Sequence, residues 1–218
     1  MTPFIETERL FLHRHIFEDG TILSCLDKKN QMSSPQALSE LIKRNKGVLA
    51  KVFGWWCDIA SPYSAGFHIK RDERAWRAKK QLQYYVYDKK NERCIGIFCA
   101  IIDPEKQDAY MLTWLEKEAQ NKGYAHEVAT HVEKELFVNL NVKTITYECF
   151  DVNKDAYKMA SFLAREGYKQ TLTNHKSIVW QKRYEDYAFA HGLELKVNLK
   201  RKNNFFALLK AIFSHQNG

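Results

Sequence analysis

The octapeptide Gln120-Asn121-Lys122-Gly123-Tyr124-Ala125-His126-Glu127 holds the residue types from which an anion site is made. It follows an apolar run ending Tyr110-Met111-Leu112-Thr113-Trp114-Leu115, which reads as a buried strand. It precedes Val128, Ala129, Val132, Leu136 and Leu140, which recur at helical spacing. A polar strand-to-helix junction leaves several backbone N–H groups without intrahelical partners, and the helix dipole adds partial positive charge there. Lys122 adds a full charge. Gly123 lets the backbone bend or approach a ligand where a Cβ would clash, and Ala125 keeps the first helical turn thin. Together these features describe a phosphate or pyrophosphate cradle. A lone Gly also suits an ordinary strand-to-helix turn, and the residue types alone leave both readings open.

The elements that would position such a cradle can be traced along the chain. Thr7 to Arg14 alternates, with Leu10 and Leu12 on one face and Arg9, Phe11 and His13 on the other, as a strand would. A helix is expected from Phe17-Glu18-Asp19, carrying Ile22, Leu23 and Leu26. Ser33-Ser34-Pro35 marks a turn before an amphipathic helix with Leu38, Leu41 and Ile42, and Ser61-Pro62-Tyr63-Ser64 reads as a break. Trp55, Trp56 and Tyr63 form an aromatic group that belongs either to the core or to a cleft. Gln83 to Tyr87 and Cys94 to Ile102 read as a hairpin joined by the polar turn at Asp88 to Glu92. Thr144 to Phe150 alternates as a strand. A helix carrying Tyr157, Ala160, Leu163 and Ala164 then ends at Gly167, and Ser177 to Trp180 is a last strand.

Gln120-x-x-Gly123-x-Ala125 followed by a helix resembles the acyl-CoA pyrophosphate loop of the GCN5-related N-acetyltransferases, the GNAT family. The wider run Trp114 to Glu127 is similar to the RimJ/RimL branch, which acetylates N-termini of ribosomal proteins. So is the opening Glu6-Thr7-Glu8-Arg9-Leu10-Phe11-Leu12. Thr113, Asn121 and Val128 stand where that branch usually has Tyr, Gly and Ala. The strand-Asn153-helix-Gly167-Tyr168 order resembles the family's second half. Ala156 replaces the usual Ser there, and the helix is longer by about one turn. The resemblance covers roughly residues 6 to 183.

It implies an α/β GNAT fold, a mixed and mostly antiparallel sheet flanked by helices, and an acetyl-CoA-dependent transfer to a primary amine by direct attack. The acceptor would be a protein N-terminal amine or a small molecule. Trp114, Leu115, Gln120, Asn121, Lys122, Gly123, Tyr124, Ala125 and Asn153 are the expected contacts to acetyl-CoA, its pantetheine arm pairing with the Tyr110 to Leu115 strand. Direct attack needs a proton acceptor, oxyanion donors and an acid near the leaving sulfur. Tyr157, by analogy with a helix tyrosine of some members, is the candidate acid, although it is equally suited to packing on the sheet. Glu148 is the candidate base, or else a solvated strand carboxylate. Glu127 stabilises the helix N-terminus. An alternative is a GNAT-fold acyl-CoA-binding or adaptor module that has lost turnover.

Composition agrees with a soluble domain: 218 residues, 45% hydrophobic and 28% charged. Five cysteines with no Cys-x-x-Cys pair argue for reduced thiols in a cytoplasm, and neither a secretory leader nor a membrane-length apolar run is read. The histidines suggest no metal set. The net charge is +8, and from Lys182 onward seven basic residues face three acidic ones, which places half of that surplus in the tail. An anionic partner is one explanation, solubility another. Residues 1 to 186 are read as the catalytic domain and 187 to 218 as a basic extension. Within the extension Phe205, Leu208, Leu209, Ile212 and Phe213 mark an amphipathic helix. That helix would dock on its own domain or on a second copy of the chain, with a membrane surface or RNA as alternatives.

Overall fold

A computed structural model describes residues 2–14, 16–18, 21–23, 34–52, 58–59, 61–91, 93–150, 154–173 and 177–193. Leu26, Trp55, Trp56, Asn153 and the amphipathic helix of the tail lie outside these residues. The chain gathers into two compact units, Met1–Tyr184 and Glu185–Gly218. The strands of the first unit are β1 (Phe4–Glu6), β2 (Leu10–His13), β3 (Ile16–Glu18), β4 (Thr21–Leu23), β5 (Gln81–Asp88), β6 (Arg93–Asp103), β7 (Asp108–Leu115), β8 (Thr144–Phe150), β9 (Lys169–Thr173) and β10 (Ser177–Arg183). Its helices are α1 (Ser34–Arg44), α2 (Lys46–Val52), α3 (Pro62–Arg77), α4 (Tyr124–Lys134) and α5 (Lys154–Arg165). Eight strands form one sheet in the order β1-β2-β5-β6-β7-β8-β10-β9, antiparallel except for the β7–β8 pair. The mixed, mostly antiparallel α/β architecture is the one expected.

One face of the sheet packs under α1 to α3. Leu38, Leu41, Ile42, Leu49, Ala65 and Ile69 bury against Tyr85, Tyr87, Ile97, Cys99 and Trp114 in one cluster. Each fully buried Leu or Ile there contributes roughly 1.5–3 kcal/mol. The opposite face carries α4, whose Val128, Ala129 and Val132 are buried as their spacing requires. The buried Glu133 of α4 reaches across to Lys182 of β10 at 2.7 Å and to the Tyr168 hydroxyl at 2.8 Å. Helix α5 ends as the Gly stop predicts. Gly167 sits at φ 82°, and the Tyr168 amide returns to the Leu163 carbonyl at 2.9 Å.

Two expectations need correction. The residues read as a helix from Phe17 form a two-stranded hairpin, β3 paired with β4 and Glu18 opposite Thr21. The two residues between are Asp19-Gly20, a hairpin dipeptide, flanked by β-branched and aromatic residues that favour strands. Ser61-Pro62-Tyr63-Ser64 does not break the chain but starts α3. Ser61 and Ser64 bond reciprocally as a capping box, and Pro62 supplies the fixed φ that suits a first helical position. Tyr63 is 77% exposed on that first turn, edge-on to Phe67, so it is not a core aromatic. Strand β2 lies between β1 and β5, and His13 is as buried as Leu12.

The second unit is described as far as Leu193. Its residues complete α6 (Tyr184–Ala190), with the Tyr187 ring stacked on His191 at 4.1 Å and the Leu193 amide bonded to the Ala188 carbonyl. Among the described residues no helix is long and apolar enough to cross a membrane.

Candidate active site

Strands β7 and β8 run side by side for four residue pairs, from Asp108 opposite Thr144 to Met111 opposite Tyr147, and then part. Strand β7 continues to Leu115, held on its other side by β6, and β8 continues to Phe150, held by β10. The result is a fork in the middle of the sheet, with Leu112 to Leu115 along one edge and Glu148 to Phe150 along the other. The backbone edge expected to be free from Tyr110 therefore opens only at Leu112. Trp114 and Leu115 are both buried, Trp114 within the cluster under α1 to α3, so what they offer the fork is backbone.

Side chains bridge the throat of the fork on both faces. On the α1–α3 face the Tyr110 hydroxyl donates to Glu148 Oε2 at 3.2 Å. Burial and the neighbouring Glu148 raise the Tyr110 pKa, so the phenol stays protonated and keeps donating. On the other face the Tyr147 phenol and Thr113 share a hydrogen bond. Cys149 is a buried free thiol, its pKa raised by burial and by Glu148, and no feature of its surroundings activates it.

The end of β7 is fixed from below. Glu116, 1% exposed, gives one carboxylate oxygen to Arg44 of α1 at 3.0 Å and the other to Arg93 of β6. Past it, a short 3-10 turn over Lys117–Ala119 brings Gln120 back, so that its side-chain amide donates to the Leu115 carbonyl at 2.9 Å. Gly123 then caps α4 at φ 79°. Asn121 sits at φ 60°, in the left-handed region where Asn is the tolerated alternative to Gly, which accounts for it at a position the resembling branch gives to Gly.

The first backbone bond of α4 runs from Glu127 N to Gly123 O, so the amides of Tyr124, Ala125 and His126 precede the helix's own ladder. Lys122 and Gly123 are exposed. An added Cβ at Gly123 would meet Arg9 Nη2 at 3.3 Å. Gln120, Asn121, Lys122, Gly123, Tyr124 and Ala125 are thus brought together at the end of the fork, as their spacing predicts.

Sequence reasoning missed Arg9 and Tyr110. Arg9 donates to the Lys122 carbonyl at 2.7 Å, pairs with Glu127 at 2.7 Å and lies over the Tyr124 ring. Glu127 also accepts from Thr7 and from the Arg9 amide. Burial pushes the Glu127 carboxyl up, and these bonds more than offset it, holding the pKa below its ordinary value. Glu127 therefore ties the helix start to the first strands, beyond the helix-end role expected of it. Tyr110 was legible in one respect, since alternation puts it on the face of Leu112 and Trp114. Tyr157 is 63% exposed on α5, so it does not pack against the sheet.

A family model described as the acetyltransferase (GNAT) family matches residues 50–163. Among solved structures, the microcin C7 self-immunity acetyltransferase MccE, in complex with acetyl-CoA and AMP, aligns over 81% of this chain and 93% of its own. The identity is 18% and the TM-score 0.64. RimL, a ribosomal L7/L12 alpha-N-protein acetyltransferase in complex with coenzyme A, aligns over 83% and 97%, with 14% identity and a TM-score of 0.66. The ribosomal-protein-S5-alanine acetyltransferase of Vibrio fischeri aligns over 84% and 98%, with 16% identity and a TM-score of 0.64. At these identities the likeness establishes a common fold. No curated protein matches the sequence.

Proposed function

The chain belongs to the GNAT acetyltransferase family, and from this we propose that it transfers the acetyl group of acetyl-CoA to a primary amine, first among them a protein N-terminal α-amine. The fork carries the reading. Two strand edges in a sheet interior that face one another unpaired are suited to an extended, amide-bearing arm bonding between them as an added strand. The cradle begins where that arm would end. Its donor set, the amides at the start of α4 with the Lys122 ammonium, fits a diphosphate, and Gly123 at φ 79° makes the left-handed turn that leads into them.

Bound acetyl-CoA supplies a thioester carbonyl open to attack by a neutral amine. Glu148 accepts the amine proton, directly or through a water, and Tyr110 holds its carboxylate toward the fork. Unpaired N–H groups of the Leu112 to Leu115 edge stabilise the oxyanion. Tyr157, exposed and free to meet a ligand, is the candidate acid for the leaving sulfur, and Asn153 is the candidate contact to the pantetheine amides. No covalent enzyme intermediate is required.

The acceptor reading is supported by the likeness of Trp114 to Glu127 to the RimJ/RimL branch and by an open sheet face beside Glu148. Gln81, Ile101, Tyr110, Thr146 and Gln181 form one cross-strand row there, and Ile101 is 48% exposed. Residues 1 to 186 make up the catalytic domain in this reading, and the basic extension beyond them suits an anionic partner or a second copy of the chain.

Calorimetric titration of acetyl-CoA into the full chain and into Gly123→Glu tests the donor site. Micromolar binding that the variant loses is expected, and no binding to the wild type overturns the reading. A panel of peptides with free N-termini, polyamines and amino acids then tests the acceptor. Transfer to polyamines but not to peptides rejects the N-terminal assignment.

A further inference from the structure

Arg9 and Lys122 are far apart in the chain, yet Arg9 Nη1 donates to the Lys122 carbonyl at 2.7 Å. Across a trans peptide the C=O and the following N–H point in opposite directions, and among the described residues no peptide is cis. Drawing the Lys122 carbonyl toward Arg9 therefore turns the Gly123 N–H away from Arg9. The next carbonyl, of Gly123, accepts from Glu127 N at 3.1 Å along the helix, which sends the Tyr124 N–H outward from the helix start. Two successive amides are thereby presented together.

Arg9 itself is held by several partners, although 43% of its side chain is exposed. Its Nε donates to Glu127 Oε2 at 2.8 Å, its backbone amide donates to Glu127 Oε1 at 2.9 Å, and its guanidinium lies 4.8 Å from the centre of the Tyr124 ring. Thr7 completes the arrangement. Its hydroxyl donates to Glu127 and accepts from the Leu10 amide, so the corner between β1 and β2 is pinned to the start of α4. With Glu127 neutralising it, Arg9 brings little net charge to the cradle. What it sets is the direction of a peptide plane.

We infer that Arg9 is a positioning residue for the donor substrate, holding the Lys122–Gly123 peptide so that its N–H faces the diphosphate. This rests on the reading of the loop as a diphosphate cradle. A guanidinium is required because one group must meet a carboxylate and a carbonyl in different directions at once, which a single ammonium does poorly.

The test compares acetyl-CoA with S-acetylpantetheine, which carries the same thioester and arm but no diphosphate, for binding to the full-length wild type, Arg9→Met and Arg9→Lys. The wild type is expected to bind acetyl-CoA far more tightly. Both variants should weaken acetyl-CoA binding roughly 10-fold or more and leave S-acetylpantetheine within about twofold. A loss that falls equally on both ligands marks a general structural role and overturns the inference, as does no loss at all. Full retention by Arg9→Lys overturns the geometric argument in favour of simple charge. If the wild type shows no preference for acetyl-CoA over S-acetylpantetheine, it is the cradle reading that fails. Should Arg9→Met not fold, Arg9→Lys carries the same comparison.

Discussion

Tyr110 and Glu148 meet hydroxyl to carboxylate at 3.2 Å across the last pair of the β7–β8 register, Met111 opposite Tyr147, with Tyr110 one residue before it and Glu148 one residue past it. The bond crosses the throat of the fork and faces the open side of the sheet. If Glu148 takes the amine proton, Glu148→Gln should lower kcat by roughly 100-fold or more and leave acetyl-CoA affinity nearly unchanged. Tyr110→Phe should lower it by a smaller factor, near 10-fold, because it loosens the carboxylate without removing it. Steady-state kinetics alongside calorimetry separates the two effects. Equal loss of binding and turnover in Glu148→Gln would point to a structural role.

Gly96 of β6 lies under the end of β7. A Cβ built there would stand 2.4 Å from the Trp114 carbonyl oxygen and 3.1 Å from the Leu115 Cα, both backbone atoms that cannot swing aside. Gly96→Ala must therefore displace the strand that borders the fork. A stability loss of about 2–3 kcal/mol by denaturant unfolding is expected, with weaker acetyl-CoA binding at a temperature where the variant is folded.

Glu116 is almost fully buried, with each oxygen bonded to a different arginine. Removing it leaves Arg44 and Arg93 facing a site built for a carboxylate. Arg44 and Arg93 are 34% and 45% exposed and can turn to solvent, so Glu116→Ala should cost about 1–3 kcal/mol, and Glu116→Gln somewhat less. Because Arg44 also donates to the Cys94 carbonyl, α1 should loosen from β6 in the variant. Hydrogen exchange in α1 would register that loosening.

His13 is fully buried, and burial first, then the Arg14 charge, push its pKa from 6.5 down to about 4. As pH falls below 6.5 the unfolded chain takes up a proton that the folded His13 refuses. The stability His13 contributes is thus present above pH 6.5 and lost on the way down to about 4. The loss is on the order of 3 kcal/mol. His68, lowered to about 3 by burial and Arg71, acts in the same sense, whereas Asp72, raised to about 6 mainly by burial, acts in the opposite one. Unfolding of wild type and His13→Gln at pH 7 and pH 5 isolates the His13 share, and the variant should show the shallower dependence.

The strand-to-helix junction was legible because all its parts are local: strand, Asn, Lys, Gly and helix follow one another within a few residues. The sheet was legible because its strands alternate or run apolar over their full length. Helix α3 was hidden, since its buried face mixes Ala65 and Ile69 with His68, Asp72 and Glu73, and polar residues at core positions blur the helical period. The β3–β4 hairpin was misread because an acidic stretch beside Gly20 was taken as a helix start where Asp19-Gly20 signals a hairpin turn. Arg9 was invisible as a loop partner. Nothing in a strand's alternation tells which distant carbonyl its outward residue will meet, and only the folded sheet brings the β1–β2 corner to α4.

The parting of β7 and β8 also bears on motion. With four residue pairs in register between them, the sheet is stitched along only part of this seam. A donor molecule lying in the fork would continue the ladder, so filling the site should stiffen the joint between the strands up to β7 and those from β8 onward. Along Leu112 to Leu115 the amides that face the fork would exchange quickly in the free protein and slowly in the complex, while the alternate ones, bonded to β6, stay protected in both. The donor would then act as a removable strand, and its departure would return the seam to its looser state.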